Sequence, residues 1–286
     1  MKTIKRSLVA IFILGIIATG FSQKQHNTNQ ILIQSTDHTI SGTTLSQSAE
    51  IISNRLESYS DKKFEIIIIS DKNQIQLVLS DSWDMEVAEN LITQKGTLSF
   101  YETYFYKDLT ELIKADTTLL SLLQVNAPGD SSERIICTTA EETSKLKEYL
   151  TSVEMKHSCK FAWSNKFDDS LPCLYALKIG NGSGLNLKGS DIESFNFGQD
   201  SIWKINYFGF QFQQSAIPVW AEITKRNINR ALAIVLDDNV LFAPMVREEI
   251  YGGNCQLSGS FTLQQVRCIA SVCKNGELPV SFEIVN

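Results

Sequence analysis

Two stretches of this chain repeat one order of hydrophobic periods. Ile31-Leu32-Ile33 is a short apolar run, after which Leu45, Ala49, Ile52, Leu56 and Tyr59 recur at helical spacing behind Thr44 and Gln47, a capping-box pattern. Phe64–Ile69 and Gln74–Leu79 read as strands joined by a turn at Asp71-Lys72-Asn73. Asp84 can cap a second helix with Val87, Leu91 and Ile92 on one face, and Gly96–Tyr101 returns as a strand. The order is βαββαβ, that of a ferredoxin-like unit.

The same order recurs near the C-terminus. Ile202–Phe212 reads as a strand, and Ser215 as the cap of a helix carrying Ala216, Trp220 and Ile223, with Pro218 tolerated in its first turn. Ala231–Pro244 is an apolar run, an Asp237-Asp238-Asn239 corner and a second apolar run, the pattern of a hairpin. Thr262 and Gln265 form another capping box, and Val266, Ile269, Ala270 and Cys273 follow at helical spacing until Asn275-Gly276; Leu278–Val285 is a last strand. Between the repeats the pattern mixes helix (Asp108–Leu123, Glu141–Leu150) with strand (Arg134–Thr138, Lys160–Ser164, Cys173–Ile179). The expected fold is α+β: ferredoxin-like βαββαβ units at 30–105 and 201–286, joined by a mixed α/β region at 106–200.

Composition adds a destination. The 286 residues are 43% hydrophobic and 20% charged, enough for one large core or two smaller ones. Lys2, Lys5 and Arg6 precede an almost wholly apolar Leu8–Ala18 and a small-residue end at Gly20-Phe21-Ser22, which reads as a signal peptide over 1–22 with a polar leader at 23–29. The apolar run is shorter than the roughly 20 residues of a spanning helix, so cleavage and an exported, periplasmic chain are expected, with an N-terminal membrane anchor as the alternative. Removing the segment takes the formal net charge from −6 to −9, which leaves no electrostatic reason to hold nucleic acid or anionic lipid; no Lys/Arg cluster supplies one, and membrane contact is expected only by association.

Chemistry is sparse. His26, His38 and His157 share no metal-ligand spacing, and Cys137, Cys159, Cys173, Cys255, Cys268 and Cys273 contain no Cys-x-x-Cys pair. Cys159 and Cys173, in neighbouring expected strands, are the candidate disulfide; Cys273 falls on a helix core position. No Gly-x-Ser-x-Gly elbow is present, and Gly180-Asn-Gly182-Ser-Gly184 lacks the lysine of a phosphate-binding loop. The paired acids Asp168-Asp169 and Asp237-Asp238 read as solvated corners. No enzyme activity, catalytic residue, metal or cofactor is expected.

A series of C-terminal residues carries a resemblance. It comprises Trp220, Ile223-Thr224 and Asn227; Ala233–Asp237 with Val240 and Ala243-Pro244; Ile250 with Gly252-Gly253; Ser258-Gly259-Ser260-Phe261-Thr262; Gly276 with Leu278-Pro279; and Ile284-Val285. These resemble the first large periplasmic domain of SecD and of the fused SecDF protein-export proteins. Ile51–Leu56, with Asn54-Arg55, is similar to a helix of that domain's base, and Phe161-Ala162-Trp163, Leu174–Lys178 and Leu187–Ile192 are similar to the stretch before its head. The positions expected to hold the fold are Asn54, Arg55, Thr224, Asp237, Pro244, Gly252, Gly253, Gly259, Phe261, Gly276 and Pro279. Gly252-Gly253 and Gly276 supply backbone conformations with positive φ, and Asn229 stands where the family commonly has glycine.

In the family, membrane helices that carry the proton pathway follow this domain, whereas this sequence ends at Val285-Asn286. The resemblance implies an exported, non-enzymatic protein that binds unfolded or extended polypeptide in connection with translocation, with exported chains or Sec components as partners. The alternative is a secreted binding module that keeps the fold without the translocon. The physical route is an apolar groove between the units or a sheet edge that accepts a guest strand. Phe208, Phe210 and Phe212 lie on one side of a strand, either lining such a groove or forming the core face of the sheet.

Overall fold

A computed structural model describes residues 28–37, 39–124, 129, 131–139, 146–147, 149–150, 159–164, 171–179 and 187–285. The expected signal segment, the three histidines, Asp168-Asp169 and Gly180–Gly184 lie outside them. The strands are β1 (Thr28–Ser35), β2 (Phe64–Ile69), β3 (Gln74–Ser80), β4 (Leu98–Glu102), β5 (Arg134–Cys137), β6 (Cys159–Ser164) and β7 (Cys173–Lys178), then β8 (Ile192–Gln199), β9 (Asn206–Phe212), β10 (Leu232–Leu236), β11 (Asn239–Phe242), β12 (Asn254–Gly259) and β13 (Phe282–Val285). The helices are α1 (Gly42–Tyr59), α2 (Met85–Thr93), α3 (Tyr106–Leu112), α4 (Thr117–Gln124), α5 (Ile217–Arg226) and α6 (Leu263–Asn275). The described residues separate by contact into two units, those up to 95 with those from 274 onward, and those from 96 to 273. The three intervals expected from pattern are thus regrouped.

In the first unit an antiparallel sheet has the order β13-β1-β3-β2. Alternation sets its inner face: Ile31 and Ile33 on β1 and Ile75, Leu77 and Leu79 on β3 are buried, and Leu45, Ile52 and Leu56 of α1 with Ala88, Leu91 and Ile92 of α2 are buried too. With β13 as the fourth strand, β1-α1-β2-β3-α2-β13 has the 4-1-3-2 strand order of a ferredoxin-like sheet. Pattern had placed Gly96–Tyr101 in that role. Instead β4 pairs with β10 in the second unit, in register from Leu98↔Leu236 to Glu102↔Leu232. Apolar periodicity identifies a strand but not its partner, and β10, buried along its whole length, needs a neighbour on both sides.

The second unit contains a six-stranded sheet, β4-β10-β11-β6-β7-β5, and a three-stranded antiparallel sheet, β12-β9-β8. The larger sheet curls, since Thr103 bridges Leu177 and the Tyr104 N–H donates to the Ala176 carbonyl at 2.9 Å. Tyr175, Leu177, Ala233, Val235 and Val240 pack on one of its faces, while Leu109 of α3, Ile113 just after it, and Leu119 and Leu123 of α4 pack with Ile135 and Leu174. An aromatic seam joins the two sheets: the Phe100 ring lies 5.5 Å from Phe210, 5.4 Å from Phe212 and 5.8 Å from Trp220. Phe208 stacks on Phe242 at 5.8 Å, and Phe242 meets the edge of Phe261 at 5.3 Å. Phe208, Phe210 and Phe212 are fully buried, so they form the core face and line no groove.

The C-terminal βαββαβ order is real along the chain but does not close into one sheet. Its strands are shared out: β9 in the three-stranded sheet, β10 and β11 in the six-stranded one, and β13 in the first unit. Residues 200–205 form a turn ahead of β9 rather than the start of the strand. Two caps also differ. The Ser41 hydroxyl, not Thr44, caps α1 by accepting from the Thr44 N–H at 3.1 Å, and α5 begins after Ala216 with Pro218 in its first turn and no side-chain cap. The box at α6 forms as read, with Thr262 N–H donating to Gln265 Oε1 (2.7 Å) and Gln265 N–H to Thr262 Oγ1 (3.1 Å). Asp84 Oδ1 caps α2 by accepting from the Val87 N–H. The disulfide joins Cys137 to Cys173, opposite one another on β5 and β7, and not Cys159 to Cys173. Adjacent strands β6 and β7 put Cys159 opposite Lys178, five residues along β7 from Cys173.

Candidate functional site

Of the residues expected to hold the fold, Arg55 and Asp237 bind backbone, while Thr224 and Pro244 line a cleft. Arg55, on the buried face of α1, is fully buried among carbonyl oxygens. Its Nη1 donates to Leu91 O (3.2 Å) and Gln94 O (2.5 Å), and its Nη2 to Lys95 O (2.9 Å) and Gly276 O (2.6 Å). These carbonyls belong to the C-terminal ends of α2 and α6, where helix carbonyls lack intrahelical donors and the dipole favours a cation. Gly276 follows α6 with φ +86°, the left-handed residue that ends a helix. Asn54 and Pro279 are exposed.

Asp237 does the converse in the second unit. Asp237 (φ 49°) and Asp238 (φ 67°) form the two-residue turn of the β10–β11 hairpin, both left-handed as a type I′ turn requires. The Asp237 carboxylate does not face solvent as an idle corner. Both its oxygens accept from the Gly96 N–H at 2.9 Å, and Oδ1 accepts from the Thr97 N–H at 2.7 Å. Asp238 is exposed and pairs with Lys160. Asn229 adopts φ 65°, as its place in the series suggested.

Thr224 and Pro244 line the cleft. It has a volume of about 260 Å³ and is bounded by α5, β10, the segment 244–250 and β12. Trp220, Leu232, Ile234 and Leu257 supply apolar lining, and Met245, 45% exposed, stands at its mouth. The buried Trp220 Nε1 meets no acceptor among the described residues. Thr224 Oγ1 donates to Trp220 O (3.0 Å) and accepts from the Ile250 N–H (2.9 Å), fixing one wall. Of the two adjacent glycines, Gly253 alone has positive φ (69°), and a Cβ there would stand 2.6 Å from Ile217 Cγ1; the nearest neighbour of a Cβ on Gly252 would be Asn254 Nδ2, at 3.9 Å. Gly259 lies against the Phe261 ring, where an added Cβ would stand 3.0 Å from Cε1.

Beside the cleft runs an open sheet edge. Phe212 N–H donates to Gly253 O at 3.0 Å, and the register then places Cys255, Leu257 and Gly259 in hydrogen-bonded pairs with β9. The intervening Asn254, Gln256 and Ser258 turn their backbone N–H and C=O groups away from β9, along the outer edge. Asn254, Cys255, Gln256 and Leu257 all line the cleft. Burial pushes the Cys255 thiol up to about 12, so it stays protonated. The alternation Asn-Cys-Gln-Leu-Ser was legible as a strand, but nothing in it marks a strand as an edge.

A second concavity, about 510 Å³, is lined by Glu102, Tyr104, Asp108, Lys178, Arg226, Asn227 and Arg230. Its charges are matched internally. The buried Glu102 carboxylate accepts from Arg226 Nε (2.6 Å) and Asn227 Nδ2 (2.9 Å) and faces Lys178 Nζ at 3.8 Å, while Arg230 pairs with Asp108 at 3.5 Å. Burial, with the charges of Cys159 and Asp108, raises the Tyr104 phenol above its ordinary value. Among the described residues no group of three or more His, Cys, Asp and Glu side chains could hold a metal ion, and no helix is long and apolar enough to cross a membrane.

An α+β chain with one mixed, curled sheet, an aromatic-packed three-stranded sheet and an open strand beside a cleft has counterparts among protein-export components. The family model "SecDF, P1 head subdomain" matches residues 182–280. The chain resembles the first large periplasmic domain of SecD and SecDF. A SecD translocase subunit of Calditerrivibrio nitroreducens is 44% identical over 79 residues, 28% of this chain and 15% of that protein. One of Acidaminococcus fermentans is 36% identical over 103 residues, 36% of this chain and 23% of that protein. The matched stretches therefore span about a quarter or less of these SecD chains. In fold, the chain overlays a solved portion of SecDF, described as a membrane component that enhances protein export, with TM-score 0.53 and 20% identity, covering 90% of this chain and 98% of that one. SecDF in a super-membrane-facing form overlays with TM-score 0.55 and 18% identity, over 90% of this chain and 29% of the other.

Proposed function

We propose that the second unit holds unfolded or extended polypeptide in the periplasm in connection with protein translocation, as a non-enzymatic component. The observation that carries this reading is the outer edge of β12 bordering an apolar cleft. A guest strand placed along Asn254–Ser258 gains main-chain hydrogen bonds that do not depend on its sequence, and alternate side chains enter the space between Trp220, Leu232 and Ile234. Generality of this kind is what a binder of many different exported chains requires. The SecD relatives, named as translocase subunits, supply the setting.

The test is the affinity of the purified chain for a reduced, carboxymethylated polypeptide, read by fluorescence anisotropy. Gln256→Pro deletes one outward N–H and places a ring on the free edge, while the bonds to β9 come from the alternate residues. Binding is expected to weaken about tenfold or more, equivalent to about 1.4 kcal/mol, with the unfolding transition unchanged. Unaltered affinity in a folded Gln256→Pro chain would sink the reading.

A further inference from the structure

The turn between β8 and β9 presents apolar side chains that packing does not explain. Ile202 and Trp203 are 77% and 76% exposed, and Ile205 is 45% exposed. Isolated exposed leucines or isoleucines are ordinary, but three large apolar residues within four positions of one turn are not. The turn is also held in shape. Asp200 Oδ1 accepts from the N–H groups of Ile202 (2.9 Å) and Trp203 (2.6 Å), Asp200 N–H donates to Ile205 O (2.9 Å), and Lys204 N–H donates to Asp200 O (3.1 Å). The tip therefore stands out as a convex finger without an ordering cost at the moment of contact.

Its surroundings select a partner. Asn206 Nδ2 donates to Phe261 O at 2.7 Å, which ties the base of the finger to the start of α6, where Leu263 is 39% exposed. Arg267, one turn further along α6, lies 5.8 Å over the Phe197 ring of β8 and is exposed, as is Lys204. Within residues 197–206 and 259–267 Lys204 and Arg267 outnumber the one acid, Asp200, whose carboxylate accepts from the turn's own backbone, for a local formal charge of +1. In a chain of net charge −6 this end of the three-stranded sheet is thus apolar and basic. Tryptophan and isoleucine on a protruding tip, with cationic side chains set back from it, match the layering of a bilayer interface: rings at headgroup depth and cations among anionic phosphates. We propose that this turn is a lipid-contacting finger that dips into the surface of an anionic bilayer. The proposal concerns a different surface from the β12 cleft and does not rest on the polypeptide reading.

The probe is a vesicle of zwitterionic and anionic phospholipid carrying brominated acyl chains, mixed with the purified full chain. Bromine is expected to quench a component of tryptophan emission that is missing in the Trp203→Phe chain. Quenching that is absent, or equal in both chains, would overturn the proposal, and attachment through another segment would give that equal result. Under lipid-limiting conditions, Lys204→Glu with Arg267→Glu should cut the Trp203-dependent quenching about fivefold or more on anionic vesicles; no change would remove the anionic surface as the partner. Should Trp203 be shielded from iodide by periplasmic protein and not by vesicles, the finger is a protein contact and the lipid assignment fails.

Discussion

Arg55 in the first unit and the β12 edge in the second treat polar backbone groups oppositely. Around Arg55, four backbone carbonyls accept from the two terminal guanidinium nitrogens of a fully buried residue. At the cleft, the outward backbone of Asn254 and Gln256 borders open volume. Donors matched by the fold maintain the fold. Backbone groups left next to room and apolar lining are where the proposed guest strand would pair.

The largest expected effect comes from breaking the matched side. Arg55→Met would leave carbonyls at the ends of α2 and α6 without their cation and should cost at least about 3 kcal/mol of stability. Urea unfolding, together with hydrogen exchange of α1 and α2 amides, reads that loss. Arg55→Lys should recover little, because an ammonium cannot reproduce the fork that reaches carbonyls of two chain segments. A Met variant as stable as the parent would show that the cluster is incidental.

What could be seen in advance follows the range of the interactions. The capping box at Thr262, the left-handed Asn229, the α6 stop at Gly276 and the hairpin at Asp237 are local, and each was readable from neighbouring residues. Partners distant in sequence were not. β13 closes a sheet begun at β1, about 250 residues earlier, and no periodicity encodes that choice. Asp237 announced a turn but not its grip on Gly96 and Thr97, since those amides are 141 and 140 residues away. Adjacent Gly252 and Gly253 looked equivalent, yet only Gly253 needs to be glycine by conformation and by its approach to Ile217. The cleft was least visible of all, because an edge is defined by what does not pair with it.

Asp237 sharpens the comparison at a smaller scale, as a carboxylate bound by amides where Arg55 is a cation bound by carbonyls. Asp237→Asn keeps a side chain tolerant of positive φ but loses the charge on the acceptor, and about 1–2 kcal/mol should go with it. Asp237→Ala should lose about 1 kcal/mol more, from the left-handed backbone that alanine resists. Thermal unfolding of the pair distinguishes the two contributions. An Asn chain indistinguishable from the parent would return Asp237 to the role of a turn residue.

The smallest effect on stability, and the most direct probe of the other side of the comparison, is the reactivity of Cys255. A thiol held near 12 by burial, against an ordinary value of 9.0, exposes about a thousandfold less thiolate at pH 8, and the deficit closes only as pH rises towards 12. Alkylation at Cys255, followed by mass spectrometry of its peptide, should therefore be about a thousandfold slower in the folded chain than in urea. Bound polypeptide should slow it further, since β12 lines the cleft the guest would fill. A folded chain whose Cys255 reacts at the rate of an unfolded thiol would mean that β12 leaves its place readily, and an edge that opens in this way could not serve as a fixed template for a guest strand.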